Sequence, residues 1–206
     1  MRAWASNTAR RRRRGIACIA LLAAMVIAPC SLADDRYDEN AVKAAFLYRF
    51  TGYVDWPRDA LAGPNFTLAI LDGDAVAGEL TRLLPGHPIK NLPTQVRTVR
   101  SAKEAADAQL LYVGPAYAGD LAAVVVALAN RPVLVITDRA DALNSGSAIN
   151  FMLVDRRVRF EISMPSVVRS RLWVQPPLLA VAARVRGIPR GDGARVVPGA
   201  PTRPQM

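Results

Sequence analysis

The spacing of apolar residues changes repeatedly along the chain between a helical period and a strand period. Apolar side chains recur every three or four residues over 39–54, which predicts a helix that ends before Trp56-Pro57. Short apolar runs bounded by turn residues predict strands, and periodic segments between them predict helices. The predicted strands cover 66–71, 95–99, 110–113, 132–137, 148–154 and 158–162, and the later helices cover 74–84, 102–108, 117–129, 165–172 and 177–185.

This order of elements predicts an α/β fold. Strands that alternate with helices form parallel sheets, because each helix carries the chain back to the edge where the previous strand began. The last two predicted strands are joined only by Asp155-Arg156-Arg157, and so short a connection predicts an antiparallel hairpin. We therefore expect a three-layer domain with a mainly parallel, mixed-edge sheet flanked by helices.

The first 33 residues have the pattern of an export signal. Arg10 to Arg14 form a basic stretch, 16–28 is an apolar run of 13 residues, and Ser31-Leu32-Ala33 is a small-residue cleavage site. A membrane-spanning helix needs about 20 apolar residues, so the run favours a cleaved signal peptide over a permanent anchor. We expect a periplasmic protein. General secretion and twin-arginine export are both left open, as is lipidation at Cys30.

Removal of residues 1–33 changes the charge and the available chemistry. Six of the 27 basic residues lie there, so the net charge falls from +10 to +4, which does not support binding to nucleic acid. Both cysteines, Cys18 and Cys30, are lost as well, which excludes a thiol nucleophile and a disulfide. The expected domain is 34–187. Residues 188–206 are rich in glycine, proline and arginine and predict a disordered tail.

Few residues offer catalytic chemistry. His87 is the single histidine, lies in a Pro-Gly-His-Pro turn, and cannot build a multi-histidine metal site. Ser145 and Ser147 lack the Gly-x-Ser-x-Gly elbow, so a serine-type hydrolase would need the fold to bring His87 to them. We expect a protein that is not an enzyme, and keep the hydrolase as a third hypothesis.

Asp72 and Asp74 follow the first predicted sheet strand, at an end where ligands of open α/β sheets often bind. Their carboxylates could hold a divalent cation, but Asp-Gly-Asp is also what a turn and a helix cap select, and we favour the turn. The glycines nearby form no phosphate-binding fingerprint. We expect no metal and no cofactor, and keep a periplasmic small-molecule-binding protein as the main alternative function.

Four separated blocks of the chain resemble the YfiR family. They are Ala41-Val-Lys-Ala-Ala-Phe-Leu-Tyr-Arg-Phe50 with Trp56-Pro57, Ser145-Gly146 before Ile149, Val158-Arg-Phe-Glu-Ile-Ser163, and Leu178-Leu179. The resemblance implies an exported regulator that binds the periplasmic sensor region of an inner-membrane diguanylate cyclase and keeps cyclic-di-GMP, and with it biofilm formation, low. The best-studied family type carries cysteines in the mature domain and an asparagine where this chain has Ser163. Redox control is therefore not implied.

The last predicted strand and the segment after it are the expected partner-binding region. Strand alternation places Glu161 on the face opposite Phe160 and Ile162, which predicts an outward carboxylate if those two lie in the core. An exposed apolar set around one carboxylate suits a protein contact. The predicted partner-binding residues are Glu161, Met164, Val167 and Trp173, with Val168 expected inside the protein. A homodimer is left open.

Overall fold

A computed structural model of the 206-residue chain describes residues 38–187. The predicted signal peptide and the predicted disordered tail lie outside the described residues. The helices are α1 (Glu39–Tyr53), α2 (Asp74–Leu83), α3 (Leu121–Ala127), α4 (Met164–Arg169) and α5 (Pro176–Val181), with 3-10 turns at Arg58–Leu61 and Ala102–Ala105. The strands are β1 (Val54–Asp55), β2 (Phe66–Leu71), β3 (Thr94–Val99), β4 (Leu110–Val113), β5 (Leu134–Thr137), β6 (Ile149–Val154), β7 (Arg157–Ser163), β8 (Trp173–Val174) and β9 (Arg184–Arg186).

Seven strands form one mixed sheet in the order β3-β2-β4-β5-β6-β7-β9. Strands β3, β2, β4, β5 and β6 run parallel, β7 runs antiparallel to β6, and β9 runs parallel to β7. Strands β1 and β8 form a separate antiparallel pair. The predicted fold class, including its mixed edge, is confirmed.

Helix α1 packs its apolar stripe on one face of the sheet. Asp38 caps its start, since the Asp38 carboxylate accepts hydrogen bonds from the backbone N–H groups of Asn40 and Ala41 at 3.0 and 3.2 Å. Phe50 of α1 meets Phe160 of β7 edge to face, with 4.9 Å between the ring centroids. Both rings are buried, as the strand pattern predicted for Phe160. These ring contacts hold α1 against β7 on this face of the sheet.

The opposite face of the sheet carries a second, smaller core. Alternation along β2 sends Leu68 and Ile70 to the α1 side, and Ala69 and Leu71 to the side of α3. Strands β4 and β5 divide their side chains in the same way. Because both faces are covered, the strands read as continuous apolar runs, as buried parallel strands do.

The end of the chain departs from the sequence prediction. Helix α5 stops at Val181, and the following residues form β9 rather than the last turn of a helix. The backbone N–H of Ala183 donates to the carbonyl of Phe160 at 2.9 Å, which begins the pairing of β9 with β7. Pairing with an open strand satisfies these backbone groups better than a free helix end. The predicted helix over 102–108 is likewise only the 3-10 turn Ala102–Ala105.

Candidate functional site

Four polar side chains lie in one line across neighbouring strands of the sheet. The register pairs Thr137 with Asn150, Asn150 with Glu161, and Glu161 with Arg184. Directly paired residues point to the same face, so the four side chains meet on the side of the smaller core. We call Thr137, Asn150, Glu161 and Arg184 the polar row.

Hydrogen bonds connect the buried part of the polar row. The Thr137 hydroxyl donates to the Asn150 side-chain carbonyl at 2.8 Å, and the Asn150 amide donates to one Glu161 oxygen at 3.2 Å. The backbone N–H of Arg139 donates to the same Asn150 carbonyl at 3.2 Å. These bonds hold Asn150 in one orientation and compensate for removing its amide from water.

The second oxygen of the Glu161 carboxylate is bound less completely. It lies 3.6 Å from an Arg184 guanidinium nitrogen and 3.8 Å from one of Arg186, both too long for hydrogen bonds. Among the described residues it has no hydrogen-bond partner, although Glu161 is 4% exposed. The predicted outward carboxylate is therefore wrong. Its face is as predicted, but β9 lies outside β7 and brings two arginines against that face.

The other predicted partner-binding residues are divided between the interior and the surface. Val167 on α4 is fully buried in the main core, and Met164 at the start of α4 is half-buried. Trp173 on β8 is 66% exposed, and Val168 on α4 is 67% exposed rather than internal. Helix α4 packs beside β8. The structure thus places exposed apolar side chains in this region, but they are Val168 and Trp173 rather than Val167.

A second polar cluster lies at the carboxyl ends of the parallel strands. Lys43 of α1 forms ion pairs with Glu39, one turn earlier, and with Asp138, the residue after β5. The Tyr112 hydroxyl at the end of β4 donates to Asp138 at 3.3 Å. The Lys43 side chain is almost completely buried, so its ammonium group depends on these carboxylates for compensation. We call Lys43, Glu39, Asp138 and Tyr112 the lysine cluster.

Burial and charge shift two pKa values in the lysine cluster. Burial by itself lowers the pKa of Lys43, but the hydrogen bonds to Asp138 and Glu39 outweigh it and the pKa is raised. Burial also raises the pKa of the Tyr112 hydroxyl, and the negative charge of Asp138 adds to this effect. At neutral pH the cluster therefore holds a charged lysine and a neutral phenol.

A small cleft opens beside the lysine cluster, where the strand order reverses between β2 and β4. It has a volume of about 330 Å³ and is lined by Asn40, 72–76, Tyr112, Pro115 and Ala116. Gly114 lets the chain after β4 approach Asp72 closely, since a side chain there would place its Cβ 2.0 Å from the Asp72 carbonyl oxygen. Open α/β sheets commonly bind ligands at such a reversal. The alternative function, binding of a small molecule, would use this cleft as its site.

The two aspartates of this cleft lie in the turn that leads into α2, as predicted, but neither caps the helix, because Gly73 is at the N-cap position and no side chain makes a cap hydrogen bond. Asp72 adopts a left-handed backbone with φ of 50°, and Asp74 is the first residue of α2. Both are exposed. Within residues 38–187 no group of three or more His, Cys, Asp or Glu side chains could hold a metal ion.

A larger cleft, of about 720 Å³, lies at the opposite end of the sheet. It is bordered by residues that precede β2, β4 and β5, including Asn65, Gln109 and Pro132. Gln109 is buried, and both ends of its amide are bonded within the protein: its oxygen accepts from Thr67 N–H at 2.7 Å and its nitrogen donates to the Ala60 carbonyl at 2.7 Å. Its amide therefore holds loops together and is not free to bind a ligand.

The residues of the hydrolase hypothesis are far apart in the fold. Ser147 precedes β6, is fully buried, and donates to the Ile149 carbonyl at 2.7 Å. His87 precedes β3, is exposed, and packs edge to face against Tyr48. Three strands separate β3 from β6. The structure does not bring His87 to either serine.

Comparison with known families decides what this arrangement represents. The family profile described as YfiR/HmsC-like matches residues 40–183, which include every strand of the sheet except β9, and every residue of the two clusters except Glu39 and Arg184. The chain belongs to the YfiR/HmsC-like family. The four sequence blocks predicted this family correctly.

Two solved structures are similar to this chain at low sequence identity. A conserved domain protein from Vibrio cholerae O1 biovar El Tor is 11% identical, with a TM-score of 0.48, over 72% of this chain and 60% of that one. The ABC domain in complex with L-Trp from Streptococcus pneumoniae is 11% identical, with a TM-score of 0.40, over 58% and 54%. This chain therefore spans about three fifths of the length of the Vibrio protein. Neither likeness bears on function.

Sequence reasoning missed the lysine cluster, although a signal for it exists. Lys43, Leu47 and Phe50 are spaced four and three residues apart and share the buried face of α1. A lysine at such a position requires a carboxylate partner, and Glu39 lies one turn before it. The polar row left a similar signal, because Asn150 lies at an inward position of a strand.

No helix within residues 38–187 is long and apolar enough to cross a membrane.

Proposed function

We propose that this protein is exported, binds the periplasmic sensor region of an inner-membrane diguanylate cyclase, and lowers cyclic-di-GMP synthesis by inhibiting it. The observation that carries the proposal is the family match over residues 40–183, together with an N-terminal sequence typical of export. Within the described residues, His87 is not brought to Ser145 or Ser147, and no group of three or more His, Cys, Asp or Glu side chains could hold a metal ion. A role in binding another protein agrees with both facts.

The proposed contact surface is the region around α4 and β8. Trp173 and Val168 are its exposed apolar residues, and tryptophan is among the residues that most often dominate interface energy. Met164 lies half-buried at the start of α4. Glu161 and Val167 are buried beneath this surface. Val167 anchors α4 in the core, and Glu161 forms ion pairs with the arginines of β9. In this proposal they position the surface rather than contact the partner.

Inhibition of a membrane enzyme by a periplasmic protein requires preferential binding to one conformation. A regulator that binds the inactive sensor conformation more tightly by about 3 kcal/mol shifts the equilibrium roughly a hundredfold. Loss of one tryptophan anchor can remove most of such a difference, because truncation of an interface anchor costs about 2 kcal/mol or more. Trp173 is therefore the most informative single residue.

The test measures cellular cyclic-di-GMP in a strain without the native copy, with the melting temperature of each purified variant. Trp173→Ala and Val168→Asp are expected to keep the fold and lose repression. Val126→Asp is the matched control, since Val126 is a valine on another short helix and is 72% exposed. Repression by both test variants at the wild-type level would overturn the surface, and a wild-type protein without effect on cyclic-di-GMP would overturn the function.

A further inference from the structure

One face of the β6-β7-β9 end of the sheet carries four arginines. Alternation along β7 puts Arg157 and Arg159 on the same face as Glu161, and the register of β9 adds Arg184 and Arg186 to that face. We call Arg157, Arg159, Arg184 and Arg186 the arginine face. This is the side of the sheet that bears the smaller core, but strands β6, β7 and β9 extend beyond it.

The arginine face is strongly positive and only partly neutralised. Glu161 is the single acidic residue on β6, β7 and β9, and it is paired with Arg184 and Arg186. Arg157 and Arg159 are both exposed and have no ion-pair partner among the residues that the structure describes. A concentration of unpaired guanidinium groups favours an anionic partner.

The side chains of the face favour phosphate groups, rather than another protein, as its partner. The residues that lie opposite Arg159 and Arg157 on β6 are Met152, half-buried, and Val154, 40% exposed. No aromatic side chain lies among them, so the face lacks the desolvated anchors that specific protein interfaces use. Guanidinium forks, in contrast, match the oxygens of phosphodiester groups in geometry and charge.

The turn that joins β6 to β7 fixes the backbone from which Arg157 and Arg159 project. Asp155 and Arg156 both have left-handed backbones, with φ of 50° and 59°. Positive φ at both central residues is typical of a tight two-residue hairpin turn, whose twist matches that of its strands. Arg157 and Arg159 are therefore presented by a rigid hairpin, about 7 Å apart along one strand.

We propose that the arginine face docks the protein onto a bilayer of anionic phospholipids, with Arg157 and Arg159 binding headgroup phosphates. Each arginine near an anionic membrane surface contributes about 1 kcal/mol, equivalent to about fivefold in partitioning. Loss of both is therefore expected to weaken binding about thirtyfold. The inference does not depend on the identity of the protein partner, but a regulator of a membrane protein gains from being held at the same surface.

Sedimentation with lipid vesicles tests the proposal on the protein as cells export and process it. Wild-type protein is expected to bind vesicles that contain phosphatidylglycerol, to bind pure phosphatidylcholine vesicles weakly, and to dissociate as the salt concentration rises. Arg157→Gln/Arg159→Gln removes two charges and is expected to lose about thirtyfold in partitioning. Arg49→Gln/Arg100→Gln is the matched control, because both residues are exposed and lie on α1 and after β3.

A local measurement separates this face from any other basic segment of the chain. A fluorophore on Val154→Cys, in a Cys18→Ser/Cys30→Ser background, should shift to shorter wavelength with anionic vesicles, whereas one on Leu83→Cys should not. Equal partitioning of the two double variants, or equal shifts at the two labels, would overturn the proposal. Absence of a preference for anionic vesicles in the wild type would overturn it as well and favour an acidic protein as occupant.

Discussion

The lysine cluster and the polar row are two ways of keeping a charge inside one domain. Lys43 is held by two carboxylates, and one of them, Asp138, is also bound by the Tyr112 hydroxyl. Glu161 has one oxygen bound by Asn150 and another that only approaches two arginines at 3.6 and 3.8 Å. The first charge is fully compensated, and the second is compensated in part.

This difference indicates different tasks. The lysine cluster joins α1 to the ends of β4 and β5, so its bonds connect two layers of the fold. The polar row ends at the edge strand β9, where the Arg184 side chain is exposed and lies 3.6 Å from Glu161. A tight buried pair stabilises one arrangement, whereas a loose one leaves its outer members available for binding.

Reversing the charge of Glu161 should have the largest effect. Glu161→Lys puts a third cation beside Arg184 and Arg186 in a site that is nearly closed to water, and leaves Asn150 without its acceptor. We expect a loss of about 3–5 kcal/mol in the free energy of unfolding, measured by chemical denaturation. Glu161→Gln, which keeps the acceptor for Asn150, should cost less than about 1 kcal/mol, because only ion pairs to partly exposed arginines are lost.

These two variants decide how deeply the polar row is buried. A Glu161→Lys protein with wild-type stability would show that the carboxylate faces solvent, as the strand pattern first suggested. A Glu161→Gln protein as unstable as Glu161→Lys would show that the arginines of β9 depend on the negative charge, which would make the two clusters alike.

Removing the ammonium group of Lys43 should have the next largest effect. Lys43→Met keeps most of the buried volume but leaves Asp138 and Glu39 close together without a cation. Both acids retain some contact with water, so we expect a cost near the lower end for a broken buried pair, about 3 kcal/mol. Lys90→Met is the control, since Lys90 pairs with a single, half-exposed Asp55. Equal losses of unfolding free energy in the two variants would show that the buried ion pairs of Lys43 stabilise the fold no more than the single ion pair of Lys90.

Raising the pH should weaken the ion pairs of the lysine cluster, with a smaller loss of unfolding free energy than Lys43→Met causes. The pKa of Lys43 is raised in the folded state, so its ion pairs contribute fully below the unfolded pKa of about 10.4 and are lost as pH rises through the higher folded value. Burial raises the pKa of Tyr112 too, and ionisation of that tyrosine in the unfolded chain favours unfolding above about pH 10.

Denaturation curves at pH 8 and pH 10.5 measure this effect. The free energy of unfolding should fall over this interval in the wild type and fall less in Lys43→Met. An identical decline in Lys43→Met and wild type would assign the alkaline loss to groups outside the lysine cluster.

Local pattern determined most of the fold before any tertiary contact was known. All six predicted strands became strands of the sheet, and β2 and β4 have the predicted bounds, because their side chains are mostly apolar on both faces, as buried parallel strands need. The short link after β6 determined the antiparallel hairpin. The four blocks determined the family, which the profile match confirmed.

Tertiary structure alone decided the two clusters. Lys43 and Asp138 are 95 residues apart, and no local rule joins them until the sheet places the end of β5 under α1. The sequence pattern assigned Glu161 to the correct face of its strand. Whether that face is open to solvent depends on the strand that pairs beyond β7. That strand, β9, is formed by residues whose sequence predicted a helix. Alternation along a strand determines direction, and burial is determined by neighbours distant in sequence.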